Sequence, residues 1–286
     1  MVDCIVIGAG AAGVSAALTL KALKINFIWL GNKDLSVKIR SAEKIKNYPG
    51  LYGVSGGDLK DAFLSQINGE GIEITEDKVN GVYPTDGGYT VLGGKSSYEA
   101  KTVILATGVE VLKPVKGEAE FLGRGVSYCA VCDGFLYRGK EIAVVIEGEE
   151  EFSEVQLLAQ YARTIHLFCI KKLDLPAIEN VMFEEGRLTE IKGDMRVKSV
   201  VCGGREIAVD GVFVLKQAIA ADNLVHGLKT VGGQVEVARN GATNLAGVFA
   251  AGDVTGRPYQ YAKAAGEGNV CAYSVNAYLN SLKTAK

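Results

Sequence analysis

The chain has 286 residues, 48% of them hydrophobic and 22% charged, with a formal net charge of -2, which suits two modest domains with cores of their own. That charge balance excludes nucleic-acid binding driven by phosphate neutralisation, and no apolar stretch approaches the roughly 18–20 residues that span a bilayer. The N-terminus enters a strand pattern without a basic segment and cleavage site ahead of it, so the expected compartment is the cytoplasm.

In chain order, CIVIGAGAAGVSAALTLKAL (4–23) reads as a buried strand, a glycine turn and a helix, and INFIWLG (25–31) as a second strand. Residues 71–108 carry short β runs separated by Gly, Asp and Asn turns, ending in the strand TVILA. After Lys113-Pro114 come a CxxC segment, the strand KEIAVVIEG, a helical stretch and the strand TIHLFCI, a second βαβ pattern. NVMFEE, RLTEIKG, MRVKSVVCGG and VDGVFVLK read as further strands, and NLAGVFAAGDVTG leads into an apolar C-terminal helix. The expected fold is α/β, with two Rossmann-like, three-layer ββα domains. One is discontinuous (1–112 and 241–286) and the other is inserted (113–240).

Gly8, Gly10 and Gly13 form GxGxxG between a strand and a helix, the context that gives this short pattern its meaning. The first glycine makes the turn, the second lets a pyrophosphate approach backbone N–H groups, and the third lets helix and strand pack closely. The acid expected on a ribose at the end of the second strand is absent: Leu30 and Gly31 stand there, with Asp34 several residues late. Taken alone, this weakens a simple NAD reading.

Of six cysteines, Cys4, Cys169, Cys202 and Cys271 are isolated and read as small packed hydrophobes. Cys129 and Cys132 form a CxxC followed by Asp133, a spacing that permits a reversible disulfide. The alternative, half of a zinc site, lacks a second ligand pair, because neither the other cysteines nor His166 and His226 form one. Asp133 is placed to move a proton to or from a thiolate, or is an ordinary turn aspartate before Gly134.

GAGAAGVSAA, KNYPG (46–50), VILATG (103–108), CAVCDG (129–134) and GVFAAGDV (247–254) stand in the order and approximate spacing of one family. The chain resembles the low-molecular-weight thioredoxin reductases over nearly its whole length. The resemblance implies an FAD domain built from the two chain ends, an inserted pyridine-nucleotide-type domain carrying the dithiol, thioredoxin as substrate, and a homodimer. It implies a flavin site drawn from Gly8, Gly10, Ala11, Ala12, Gly13, Gly31, Asn47, Val79, Thr107, Gly108, Gly252 and Asp253. It also implies that Cys132 faces the flavin and Cys129 attacks thioredoxin. Lys38 stands where the family usually has glutamine. In PYQYAK (258–263), Gln260 and Tyr261 beside Ala262 replace a YRQA pattern.

The second glycine turn departs further. Where the family has GGGxxA, this chain has Ile146, Glu147, Gly148, Glu149, Glu150 and Glu151. Glutamates at a helix N-terminus repel a diphosphate and themselves supply the negative charge that the helix dipole favours, about 0.3–1 kcal/mol each. The family's HRR run for a 2'-phosphate appears as Cys169, Ile170 and Lys171, with Lys172 just beyond. This double loss resembles the ferredoxin-dependent flavin thioredoxin reductases, and the expected donor is ferredoxin. Three alternatives stay open: an NADPH thioredoxin reductase with an aberrant loop, an oxygen-dependent dithiol oxidase, and a non-enzymatic flavin redox sensor.

Overall fold

The apolar N-terminal run forms β1 (Val2–Ile7), in which Cys4 and Val6 join one core cluster while Ile5 and Ile7 are buried towards the other face. Burial on both faces is what a strand inside a parallel sheet requires. The computed structural model describes residues 1–36, 39, 42, 44–108, 115–128, 130–215 and 220–284, with Cys132 and Glu150 described in their backbone alone. The chain divides into two compact units, Met1–Glu110 with Ala220–Lys286, and Val111–Ile219.

In unit 1, helix α1 (Ala11–Ala22) follows the glycine turn, and β2 (Phe27–Leu30) returns parallel to β1. Helix α2 (Gly56–Gly69) opens with a capping box, Ser55 Oγ accepting from Asp58 N–H while the Asp58 carboxylate accepts from Ser55 N–H at 2.9 Å. Strands β3 (Val79–Thr85), β4 (Gly88–Gly93) and β5 (Ser97–Leu105) form an antiparallel meander. The long β5 also pairs parallel with β1.

Unit 2 begins with β6 (Val126–Ser127), the short helix α3 (Ala130–Asp133) and β7 (Glu141–Ile146). Then come α4 (Phe152–Ala159), β8 (Thr164–Cys169) and β9 (Val181–Phe183). An antiparallel sheet of β10 (Leu188–Gly193), β11 (Val197–Cys202) and β12 (Arg205–Ala208) precedes β13 (Gly211–Leu215). The parallel sheet runs β6-β13-β7-β8-β9. Ile142, Val144 and Ile146 of β7 pack with Val155 and Leu158 of α4, and Ala143 and Val145 are buried towards the other face.

Residues 220–240, expected in the inserted part, pack with unit 1. Val225, just after α5 (Ala221–Leu224), forms a parallel bridge with Val82 of β3. β14 (Thr230–Val231) and β15 (Gln234–Val235) form a small antiparallel pair. The other expected border, at 112/113, lies outside the described residues. β16 (Val248–Ala250) then pairs parallel with the end of β5, and α6 (Tyr261–Thr284) closes the chain. A Cβ at Gly268 of α6 would lie 2.1 Å from Ala12 O, so glycine lets α6 lie directly on α1. No helix among the described residues is long and apolar enough to cross a membrane.

Candidate active site

The parallel strands β1, β2, β5 and β16 all point the same way, so the segments after them meet at one end of the unit 1 sheet. This brings together the turn 8–13, Gly31, Thr107, Gly108, Gly252 and Asp253. Gly8 has φ +112°, and a Cβ on it would lie 2.2 Å from Ala106 O. Its N–H donates to Leu30 O at 2.8 Å, and its carbonyl accepts from Trp29 Nε1 at 2.9 Å. A Cβ on Gly13 would lie 2.0 Å from Gly8 O. Around Gly10 the opposite holds: a Cβ there would meet nothing within 4 Å.

Gly10 is the N-cap of α1, with no side-chain cap and no acid in the first turn. The N–H groups at this helix start, including those of Ala11, Ala12 and Gly13, have no intrahelical acceptor and face an open glycine edge. The donor set and the space both fit a dinucleotide pyrophosphate. A Cβ on Gly31 would lie 2.8 Å from Ala9 Cβ, so a larger residue there would press on the same turn. Gly252, with φ +88°, approaches Ala12 closely from the other side.

Asn47 and Gln260, far apart in sequence, are joined by an Asn47 Nδ2 to Gln260 Oε1 hydrogen bond of 2.5 Å. Tyr261 and the exposed Ala262 open α6. Burial, and secondarily the nearby Asp253 charge, push the Tyr261 phenol up. Val79 is buried at the start of β3, paired with Gly93 rather than following one of the four parallel strands. Lys38 lies outside the described residues.

In unit 2, Cys129 lies outside the described residues, and the backbone of Cys132 belongs to α3. The half-buried Asp133 ends α3, and its Oδ2 accepts from the buried Ser127 hydroxyl at 2.6 Å. Ser127 is a residue that the sequence reading missed; the signal was its place two residues before the dithiol. Val131, Phe135 and Leu136 are exposed around α3. The isolated Cys4, Cys169, Cys202 and Cys271 are free thiols. Burial pushes Cys4 and Cys271 up to about 12, which makes them poor nucleophiles.

The turn after β7 differs from the turn after β1. Gly148 is extended, with φ -147°, and Glu149–Glu151 form a single 3-10 turn leading into α4. Glu151 is 4% exposed, and its Oε2 accepts from Gly148 N–H at 2.8 Å. A carboxylate of the chain thus holds a backbone donor of the turn that, in unit 1, is left open. At the end of β8 stands the half-buried Cys169, whose thiol is pushed up by burial, and beyond it the exposed Lys171 and Lys172.

An open dinucleotide-type turn in one unit and a CxxC in the other agree with the pattern match over residues 2–148 and 171–268. By that match the chain belongs to the pyridine nucleotide-disulphide oxidoreductases. The break in the match spans 149–170, which holds Glu149, Glu150, Glu151 and α4. Among solved structures, a ferredoxin-flavin thioredoxin reductase from Clostridium acetobutylicum is 40% identical with a TM-score of 0.90, covering 98% of this chain and 98% of that one. A thioredoxin reductase from Gloeobacter violaceus is 31% identical with a TM-score of 0.80, covering 98% of this chain and 94% of that one. The thioredoxin reductase of Listeria innocua is 30% identical over 308 residues, 99% of this chain and 95% of that protein.

Proposed function

We propose that this chain is a flavoprotein thioredoxin-disulfide reductase. It takes electrons from reduced ferredoxin through FAD and the Cys129–Cys132 pair, and it uses no NAD(P)H. The observation that carries the choice of donor is the Glu151 carboxylate on Gly148 N–H. A nucleotide diphosphate would have to displace this buried group and then lie beside Glu147, Glu149 and Glu150. Ile146 fills the first glycine position, and where the family has HRR for a 2'-phosphate this chain has Cys169, Ile170 and Lys171, with Lys172 just beyond. The similarity to the C. acetobutylicum ferredoxin-flavin thioredoxin reductase supports the same donor.

FAD would lie with its pyrophosphate at the N–H groups of Ala11, Ala12 and Gly13, with Thr107, Gly108, Gly252 and Asp253 beside it. Bound FAD supplies a two-electron store that can be filled one electron at a time. Two electrons and two protons convert the Cys129–Cys132 disulfide to a dithiol. The Cys129 thiolate then attacks the thioredoxin disulfide, and Cys132 resolves the mixed disulfide, releasing reduced thioredoxin. Asp133, held by Ser127, carries the proton for this exchange. Ferredoxin near roughly -400 mV and thioredoxin near roughly -270 mV leave a fall of about 130 mV, on the order of 6 kcal/mol for two electrons. The resemblance to thioredoxin reductases also supports a cytoplasmic homodimer.

The test is anaerobic reduction of thioredoxin disulfide by the FAD-loaded protein with reduced ferredoxin or NADPH as donor. Turnover with ferredoxin alone is the expected result. Turnover with NADPH at micromolar concentration overturns the proposal, and hydrogen peroxide formation from a small dithiol and oxygen, without ferredoxin turnover, would make the chain an oxidase instead.

A further inference from the structure

Lys263 stands in the first turn of α6, where the partial positive charge of the helix start disfavours a cation. Its side chain is only 17% exposed, so it has also given up most of its hydration. The compensation is local and complete. Nζ donates to Gly252 O at 2.8 Å, to Thr255 Oγ1 at 2.9 Å and to Gly256 O at 2.8 Å, using all the N–H bonds of an ammonium. One helical turn on, Glu267 Oε2 lies 3.2 Å from the same nitrogen and accepts from Gly252 N–H at 2.8 Å. The Thr255 hydroxyl lies 2.8 Å from Gly252 O and 3.0 Å from Glu267 Oε2, and donates to one of them.

The three acceptors of Lys263's hydrogen bonds all belong to the turn 252–256. Gly252 and Gly256, with φ +88° and +106°, bound a 3-10 turn over Asp253–Thr255, and both conformations are ones that L side chains rarely adopt. Such a turn holds its shape only where its surroundings fix it. Here Lys263 holds it from the carbonyl side, and Glu267 holds it from the N–H side. The same turn carries Gly252 and Asp253, and Gly252 stands against Ala12 in the open glycine turn of unit 1.

We infer that Lys263, acting with Glu267, is the positioning residue that fixes the Gly252–Gly256 turn in the geometry that receives FAD. This rests on the FAD reading given above. Lys263 acts through Gly252 and Asp253. The pair should behave as one unit, because removing the ammonium leaves Glu267 without its ionic partner and takes one donor each from Gly252 O and Gly256 O, with Thr255 N–H still on Gly252 O at 3.0 Å.

The experiment compares FAD binding to apoprotein for wild type, K263M, K263R, E267Q and K263M/E267Q. It follows quenching of Trp29, the chain's one tryptophan, and records the visible spectrum of bound flavin, with circular dichroism and thermal unfolding of each apoprotein alongside. The expected result is folded K263M with FAD binding weakened on the order of tenfold or more, equivalent to about 1.4 kcal/mol, and a shifted flavin spectrum. K263R, whose planar fork cannot aim three donors at one convergent set of acceptors, should fold and recover only part of the affinity. K263M/E267Q should bind FAD no more weakly than K263M alone. Wild-type FAD affinity and spectrum in folded K263M overturn the inference, and so does full recovery by K263R should K263M not fold. A wild-type chain that binds no FAD overturns the flavin reading itself, a separate outcome visible before any variant is compared.

Discussion

Replacing Glu151 by alanine removes the carboxylate that caps the second turn. The group is 4% exposed and accepts from Gly148 N–H at 2.8 Å, so the change leaves a donor without its partner and takes a negative charge from a helix start. An unpaired buried donor costs about 1–3 kcal/mol, and the lost interaction with the helix dipole adds about 0.3–1 kcal/mol. The expected loss of stability is therefore roughly 1–4 kcal/mol. The neighbouring Glu149 is exposed, and its replacement by alanine should change stability by about 0.5 kcal/mol or less. Urea unfolding of both variants at neutral pH, read by circular dichroism, measures the difference. The carboxylate is a structural occupant of the turn if E151A is the more damaging by at least about 1 kcal/mol. Equal stabilities for E151A and E149A would refute that reasoning. E151A should also fail to gain NADPH binding, since Ile146 and the shortened basic run after β8 remain.

The glycines of the first turn should separate folding from binding. G13A places a Cβ 2.0 Å from Gly8 O and should cost about 1–3 kcal/mol in unfolding measurements, whereas G10A meets nothing, should unfold like wild type, and should bind FAD less well because its methyl group enters the phosphate cradle. C132S with Cys129 intact should abolish turnover while retaining FAD, and should trap a disulfide-linked thioredoxin seen by non-reducing electrophoresis; C129S should give no such adduct. Glu184 is held below the usual carboxylate range, first by its hydrogen bond with His166 at 2.8 Å and then by Arg205 at 2.9 Å. A depressed folded-state pKa contributes stability above about pH 4.3 that is lost as pH falls through the lower folded value. Unfolding titrations should therefore show stability falling below about pH 4, with a shallower fall in E184Q.

Much of this architecture is written locally. Gly8, Gly10 and Gly13 lie between a strand and a helix that the apolar pattern already marks, and the β7 and β8 runs are short, apolar and rich in Val, Ile and Phe. The Glu147–Glu151 stretch announces its chemistry because charge at a helix start has a definite sign of interaction. What stayed hidden depends on contacts between distant segments. Nothing near Val225 says that it bridges Val82, so residues 220–240 could not be assigned to unit 1 by texture. Asn47 and Gln260 each read as flavin-side residues, but their mutual hydrogen bond joins opposite ends of the chain. Lys263 looks like a solvated helix lysine, because its partners are backbone carbonyls that no sequence pattern displays. Ser127 was passed over for the same reason: a single hydroxyl in a two-residue strand gains meaning only when Asp133 comes within 2.6 Å of it.

The most direct test is the anaerobic half-reaction of the FAD-loaded protein, with NADPH, NADH and reduced ferredoxin offered separately and loss of the oxidised flavin band followed in time. The account predicts bleaching by reduced ferredoxin within the turnover time, and an unchanged spectrum with either nicotinamide nucleotide. Rapid bleaching by micromolar NADPH would contradict it, because a diphosphate would then be binding a turn that Glu151 holds closed.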